Sequence, residues 1–264
     1  MTVRSKEWGH VGRALALLAR MVLLAGTGCA APDVEQQAAE QVERRKVLLC
    51  QQGLSDRVTG WDKGLFDLCE RAEEAGFELV RDGEHPAFGA LDENGAYDAL
   101  FETLDTNVDG RVDDRDERTA VHLVGFSWGG VNISDIARRL SADRRTAPGS
   151  GGVMAMVLLD AYQPFHGPLD IPRSVYLTWV YRQTETTTDD CSHDVSLGFG
   201  YRGLTPRQHP DALGFCVDVD LEDVASGVGH CDVVETAADA AFHNLTTRRD
   251  FAPWDEVARP CDTD

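Results

Sequence analysis

Residues 125–130 read GFSWGG, and this stretch decides the fold. An apolar run at residues 120–124 comes before it, and a helix-like pattern follows it. A serine two residues from a glycine on either side predicts a strand-to-helix turn so tight that the serine takes a positive φ, which requires very small neighbours. Such a turn exposes the hydroxyl of Ser127 and directs the following backbone N–H groups at an anion. We interpret the stretch as a nucleophile elbow; an ordinary glycine-rich turn is the alternative.

The chain on both sides of this turn alternates short apolar runs with segments of helical spacing. Runs typical of buried parallel strands span residues 47–50, 77–80, 120–124, 153–159 and 175–180, and residues 217–221 alternate with acids as an edge strand would. Helical spacing occurs in residues 61–72, 96–104, 133–140 and 233–245. The alternation predicts an α/β fold, with a parallel sheet covered by helices on both faces.

The elbow serine needs two partners, because its hydroxyl is a poor nucleophile until a base takes its proton and an acid holds that base. His230 is the candidate base, since it lies in a glycine-rich loop between the last strand and the last predicted helix. Asp160 is the preferred acid, because it directly follows an apolar strand and a carboxylate there needs a buried partner such as an imidazolium. Three later carboxylates compete with it: Asp189, Asp190 and Asp194.

The chain order Ser127, Asp160, His230, with the serine at a strand-to-helix elbow, resembles the α/β-hydrolase family. The resemblance covers roughly residues 46–245 and implies a compact version of the α/β-hydrolase fold, because two strands that often come first in the family are absent. An acid on the strand after the elbow is similar to the arrangement in lipase-like members. The resemblance implies a serine hydrolase that cleaves small-molecule or lipid esters through an acyl-enzyme, with no cofactor for catalysis.

The same resemblance implies where an oxyanion hole would lie. One backbone N–H would come from Trp128, and the other from the loop after the first strand, at Gln52, Gly53 or Leu54. Many family members have His-Gly in that loop, so Gln52-Gly53 departs from the pattern. Amidases, peptidases and thioesterases would use the same three side chains, and a non-catalytic binding protein on the cell surface is the alternative of a different class.

A second stretch, residues 105–116 with the sequence DTNVDGRVDDRD, fits a calcium-binding loop. It has oxygen ligands at loop positions 1, 3, 5, 9 and 12, a glycine at position 6 and an apolar residue at position 8. The stretch resembles an EF-hand loop, most closely the dockerin type that ends in aspartate. A structural calcium ion is expected there, and an acidic solvated connector is the alternative. The expected ligands are the side chains of Asp105, Asn107, Asp109 and Asp116 and the backbone carbonyl of Arg111.

The N-terminus carries the pattern of an export signal. A basic segment and an apolar segment lead to small residues before Cys29, which resembles a bacterial lipoprotein signal in which that cysteine becomes the lipidated first residue. This predicts an exported protein, either tethered to a membrane through its lipid or periplasmic or secreted after cleavage at Ala30 or Ala31. The apolar run is shorter than the roughly 20 residues that span a bilayer. A net charge of −20 argues against nucleic acid as a partner.

Six cysteines follow Cys29, an even number that suits disulfides in an oxidising compartment. Cys50, at a strand end, and Cys69, on the next helix, are placed to be neighbours. We expect Cys191 to form a disulfide with Cys216 or Cys231; a metal site with His193 is the alternative, and two ligands do not make a site.

The chain is expected to contain one main domain. The expected organisation is a signal at residues 1–28, a tether at 29–45, an α/β-hydrolase domain at 46–250 with the loop 105–116 inserted in it, and a tail at 251–264. An insertion at residues 183–215 lies where family members often carry a segment that covers the site. The sequence defines no oligomeric state.

Overall fold

The structure is a computed structural model, and it describes residues 44–53, 63–163, 166–184, 202–212, 214–247 and 257–263. The predicted signal, Cys29 and nearly all of the predicted tether lie outside these residues, as do His193 and the three competing carboxylates of the insertion.

Strands in the described part of the chain form two sheets. The larger sheet has the order β2-β1-β3-β4-β6-β8-β9 and is parallel except for β9, which runs antiparallel to β8. The smaller sheet has the order β10-β7-β5. The strands are β1 (Arg45–Gln51), β2 (Glu78–Val80), β3 (Thr119–Phe126), β4 (Val153–Leu159), β5 (Leu169–Ile171), β6 (Val175–Arg182), β7 (Pro206–Gln208), β8 (Phe215–Asp220), β9 (Ala258–Pro260) and β10 (Asp262–Thr263).

Helices cover both faces of the larger sheet. They are α1 (Lys63–Glu74), α2 (Glu93–Leu104), α3 (Trp128–Ala142) and α4 (Val233–Thr247), and a 3-10 turn follows β8 at Leu221–Asp223. Helices α2 and α3 share one hydrophobic core with the sheet, and α1 and α4 share the core on the other face. The central strands are therefore buried on both sides, which explains their nearly continuous apolar runs. The predicted fold class is confirmed.

The strand order places a crevice at the carboxyl ends of β1 and β3. The chain leaves β1 for β2 on one side and then crosses back to β3 on the other side of β1. At such a reversal the connections leave in opposite directions, so the loops that follow the two strands diverge and open a crevice. The elbow follows β3, and the loop with Gln52 and Gly53 follows β1.

The described end of the predicted tail, residues 257–263, contains two short strands. Strand β9 pairs with β8 in the larger sheet, and β10 pairs with β7 in the smaller one. The prediction that residues 217–221 form an edge strand was wrong, because β9 covers the outer side of β8. Short strands of this kind have too little periodicity to be visible in a sequence.

Two disulfides join described residues to each other. Cys50 is bonded to Cys69, which ties the end of β1 to α1 as the sequence suggested, and Cys216 is bonded to Cys261. The second bond excludes the predicted alternative between Cys191 and Cys216. Cys231 is disulfide-bonded as well. Disulfides are typical of exported proteins.

Among the described residues, no helix combines the length and the apolar character needed to cross a membrane.

Candidate active site

The elbow has the strained geometry that its glycines predict. Ser127 has φ 54° and directly precedes helix α3. A Cβ on Gly125 would lie 2.5 Å from the carbonyl oxygen of Gly129, and a Cβ on Gly129 would lie 2.3 Å from that of Gln51. Real side chains do not approach a backbone oxygen so closely, so both positions require glycine. Strand β3, helix α3 and the end of β1 can therefore meet at the serine.

The side chain of Ser127 contacts a histidine rather than capping its helix. Its Oγ lies 2.8 Å from Nε2 of His230, and it makes no capping bond to the N-terminus of α3. His230 lies in the turn just before α4 and is buried, with 5% of its surface exposed. The structure thus brings together two residues that are 103 positions apart in the chain.

Asp160 completes the contact on the far side of the histidine. Its Oδ2 lies 2.5 Å from Nδ1 of His230, and the residue is fully buried at the end of β4. An ionised carboxylate only accepts hydrogen bonds, so Nδ1 must carry the proton; in the neutral ring, Nε2 is then left to accept the hydrogen of the Ser127 hydroxyl. This arrangement can withdraw a proton from the serine.

Backbone hydrogen bonds join the elbow to the chain that carries the acid. The N–H of Ser127 donates to the carbonyl of Leu159 at 3.0 Å, and the carbonyl of Ser127 accepts from the N–H of Tyr162 at 3.1 Å. Asp160, between these two contacts, also has a positive φ, of 44°. The spacing between serine and acid is therefore set by the pairing of β3 with β4.

Aromatic rings surround the histidine. The ring of Phe126 stacks on His230 with centroids 5.0 Å apart, and the ring of Tyr162 meets it edge-on at 6.0 Å. These contacts restrict the imidazole to the plane that serves both of its hydrogen bonds. Tyr162 is a residue of the site that no sequence pattern predicted, although its position two residues after Asp160 placed it near the acid.

The predicted oxyanion hole needs one correction. The backbone N–H of Gln52 donates to the carbonyl of Phe88 at 2.8 Å, so it is not available as an oxyanion donor. Gly53 follows it in the same loop, and Leu54 lies outside the described residues. Trp128 is the first residue of α3, where backbone N–H groups have no acceptor within the helix. The bridge joins Gln52 to a loop 36 residues further along the chain, a contact that no local sequence pattern predicts.

Two further residues lie against the carboxylate of Asp160, and no sequence pattern predicted either of them. The backbone N–H of Gln183, after β6, donates to Oδ1 of Asp160 at 3.0 Å. Gly203 lies so near that a Cβ there would be 2.2 Å from the same oxygen. Burial alone would lower the pKa of the neighbouring Arg182, but the hydrogen bond and charge of Asp218 outweigh it, with smaller contributions from the charges of Asp220 and Asp160, and the pKa is raised. A fixed cation therefore stands beside the acid.

The acidic loop at residues 105–116 binds its own backbone. Oxygens of Asp105 accept the N–H groups of Asp109 and Gly110 at 3.1 and 2.7 Å, and those of Asp116 accept from Asn107 and Asp113 at 3.2 and 2.8 Å.

A cation occupies part of the expected ligand set. The guanidinium of Arg115 lies 2.6 Å from an oxygen of Asp109 and 2.7 Å from one of Asp113. In the described residues, no group of three or more His, Cys, Asp or Glu side chains is arranged to hold a metal ion. Calcium binding at this loop would require Arg115 to leave these carboxylates. Calcium at this loop stays a prediction.

Comparisons with known proteins give weak similarities. No protein-family model matches the chain, and no curated protein sequence matches it significantly. Among solved structures, a YdeN-like hydrolase from Pectobacterium atrosepticum is similar, with 14% identity, coverage of 81% of this chain and 97% of the other, and a TM-score of 0.33. A ferulic acid esterase from Streptomyces cinnamoneus has 15% identity, coverage of 82% and 71%, and a TM-score of 0.31. Similarities of this size carry no argument about the reaction.

Proposed function

We propose that this chain is an exported serine hydrolase that cleaves carboxylic esters through an acyl-enzyme. One observation supports this most strongly: the continuous hydrogen-bonded line from Asp160 through His230 to the Oγ of Ser127. Ser127 and Asp160 directly follow strands β3 and β4, His230 lies in the turn before α4, and all three residues are buried. A purely structural role would not require a strained serine whose hydroxyl is directed at the histidine.

In the first half of the proposed reaction, Oγ of Ser127 attacks the ester carbonyl as Nε2 of His230 takes the hydroxyl proton. Asp160 keeps Nδ1 protonated and stabilises the imidazolium that forms. The C–O bond to the alcohol then breaks, and the proton on Nε2 passes to the leaving oxygen. The acyl group remains on Ser127 as an ester.

In the second half of the proposed reaction, water takes the place of Ser127 as the nucleophile. Nε2 of His230 takes a proton from water, the resulting hydroxide attacks the acyl carbon, and the proton returns to Oγ of Ser127 as the acid leaves. These three side chains and water supply the nucleophile, the base and the acid, so the proposed chemistry uses no cofactor.

The oxyanion formed in both halves needs backbone donors. We assign one to the N–H of Trp128, at the N-terminus of α3, and the other to the loop after β1, at Gly53 or Leu54. A single donor of this kind is worth about 3 to 4 kcal/mol of barrier. The bridge between Gln52 and Phe88 fixes the start of this loop.

Labelling with a fluorophosphonate tests the nucleophile. The folded protein should be labelled, Ser127→Ala should not be, and Ser141→Ala, an exposed serine on α3, should be labelled like the wild type. Ser127→Ala should also reduce ester hydrolysis by about a millionfold. Labelling that survives in Ser127→Ala would refute the assignment, and no labelling of the wild type would favour a non-catalytic binding protein.

Matched substrates test the reaction class. p-Nitrophenyl acetate and p-nitroacetanilide differ only in their leaving group. The ratio of their hydrolysis rates therefore separates an esterase from an amidase. We expect turnover of the ester alone. Faster turnover of the anilide would replace the ester assignment with amide hydrolysis by the same residues.

A further inference from the structure

We infer that Gly203 is a positioning residue, whose missing side chain leaves the space in which the carboxylate of Asp160 meets His230. Its catalytic meaning rests on the proposed function, whereas its geometry does not. A Cβ on Gly203 would lie 2.2 Å from Oδ1 of Asp160 and 2.5 Å from the Cβ of Arg182. Both distances are far shorter than any real contact between such atoms.

The requirement for glycine is steric and not conformational. Gly203 does not have a positive φ, so an alanine could adopt its backbone conformation. Gly76, Gly110 and Gly149 are the opposite case, with positive φ and nothing within 4 Å of an added Cβ. Alanine at position 203 would therefore act by pressing on its neighbours.

The neighbours on either side of the carboxylate are fixed. Arg182 binds Asp218 through two nitrogens, at 2.8 and 2.7 Å, and both side chains are mostly buried. The chain at residues 202–205 is held by hydrogen bonds from Gly203 N–H to the Gln183 carbonyl at 3.1 Å and from Leu204 N–H to the Ala161 carbonyl at 2.8 Å. Of the groups that a methyl group at position 203 would contact, the carboxylate of Asp160 is therefore the one that can move.

A displaced Oδ1 changes the bond to the histidine because a carboxylate is one rigid plane. Oδ1 accepts from the N–H of Gln183, and Oδ2 faces Nδ1 of His230. When Oδ1 is pushed away from Gly203, Oδ2 must rotate or shift with it. The inferred role of Gly203 is to keep both oxygens on their partners at once.

The first test is Gly203→Ala, with Gly167→Ala as a matched control because nothing lies within 4 Å of a Cβ added there. We expect kcat on p-nitrophenyl acetate to fall by about 100-fold, as small misplacements of reacting groups do, while KM stays within about twofold. The low-field proton NMR signal of the Nδ1–H should move or disappear in Gly203→Ala and remain in Gly167→Ala. A Gly203→Ala protein with the wild-type signal and kcat would overturn the inference.

The second test removes one of the two groups that the added Cβ would meet, the carboxylate of Asp160, and leaves the other, the Cβ of Arg182. In an Asp160→Gly background, which has no carboxylate and suits the positive φ at that position, the loss in Tm caused by Gly203→Ala should be smaller than in the wild type. Equal losses in both backgrounds would overturn the inference. If Gly203→Ala alone does not fold, folding of the double variant supports the inference, and failure of both to fold overturns it.

These readouts separate the inference from the proposed function. A wild type that hydrolyses no ester and reacts with no fluorophosphonate would sink the proposed function, yet the NMR signal and the Tm cycle would still report whether Gly203 positions Asp160.

Discussion

Two regions of the described chain hold non-glycine residues at positive φ, and they differ in what keeps them there. Ser127 and Asp160, with φ of 54° and 44°, lie together in the candidate site, whereas Val108, with φ of 58°, lies in the acidic loop. The backbone of Ser127 is bonded on both sides to residues that flank Asp160. Val108 is 86% exposed, and its N–H donates to Asp105 within the same turn.

The carboxylates of the two regions follow the same contrast. Asp160 receives its partners from the turn before α4 and from the end of β6. Asp105 and Asp116 accept from N–H groups within their own loop. Backbone strain and a buried charge that are held by distant elements indicate a functional site, because several parts of the fold together fix one geometry. Strain and charge satisfied within one loop carry no such indication.

The largest effect is expected at the acid of the candidate site. Asp160→Asn should lower kcat for ester hydrolysis by about 10³- to 10⁴-fold, because an amide cannot hold the imidazole in the same tautomer. Asp190→Asn, a change at one of the competing carboxylates, should leave kcat within about twofold of the wild type, a margin far smaller than the loss of a triad acid. The reverse result in steady-state assays would move the acid to the insertion.

Gly129 in the candidate site and Gly110 in the acidic loop should separate the steric cost of an added side chain from the conformational cost of a positive φ. Gly129→Ala forces a Cβ to within 2.3 Å of a backbone oxygen, whereas Gly110→Ala meets nothing but places alanine at φ 80°. We expect losses of about 3 kcal/mol for Gly129→Ala and about 1 kcal/mol for Gly110→Ala in urea unfolding. Equal losses would mean that the elbow relaxes as freely as the loop.

Calcium should act on the acidic loop and leave the candidate site unchanged. If calcium displaces Arg115 and binds, saturation at 100 times the dissociation constant stabilises the fold by about 2.7 kcal/mol, so calcium should raise Tm and EDTA should lower it. The shift should vanish in Asp105→Asn and persist in Asp114→Asn, an exposed acid in the same loop outside the expected ligand positions. The absence of any shift with calcium or EDTA in the wild type would sink the calcium prediction.

Low pH should destabilise the acidic loop, because the pKa values of two of its carboxylates are lowered in the folded protein. This is the smallest of the four expected effects. Hydrogen bonds from Arg115 lower the pKa of Asp113 to about 2. Burial raises the pKa of Asp116, but hydrogen bonds from Asp113, Asn107 and Thr106 outweigh it and lower the pKa overall.

The sign of this pH effect follows from proton binding. The unfolded chain, with aspartate pKa values of about 3.9, takes up protons before the folded loop does. This contribution to stability is therefore complete above about pH 4 and is lost as the pH falls towards about 2, near the folded pKa of Asp113. The fall in Tm over this range should be shallower in Asp116→Asn than in the wild type. Identical curves would contradict a role for Asp116.

The sequence was informative where local pattern and steric need coincide. Apolar runs predicted the central strands, and the two glycines around Ser127 predicted the elbow geometry. The position of Asp160 directly after an apolar run could be recognised because parallel neighbouring strands end at one edge.

The sequence was uninformative where contacts join short, distant segments. The N–H of Gln183 and the bare backbone at Gly203 reach Asp160 only after segments that are far apart in the chain have met. The Cys216–Cys261 bond spans 45 residues, and strands β9 and β10 that flank Cys261 have two or three residues each. Such elements have too few positions to show a period, so their placement depends on the rest of the fold.

The backbone bonds between Ser127 and the flanks of Asp160 have a consequence for folding. The register that pairs Phe126 with Leu159 is the same register that sets serine beside acid, so the site cannot be assembled before β3 and β4 join, nor can it outlast their separation. In a denaturant titration, the curve for fluorophosphonate reactivity should accordingly superimpose on the far-UV circular dichroism curve. The reactive serine would then serve as a chemical reporter of cooperative unfolding.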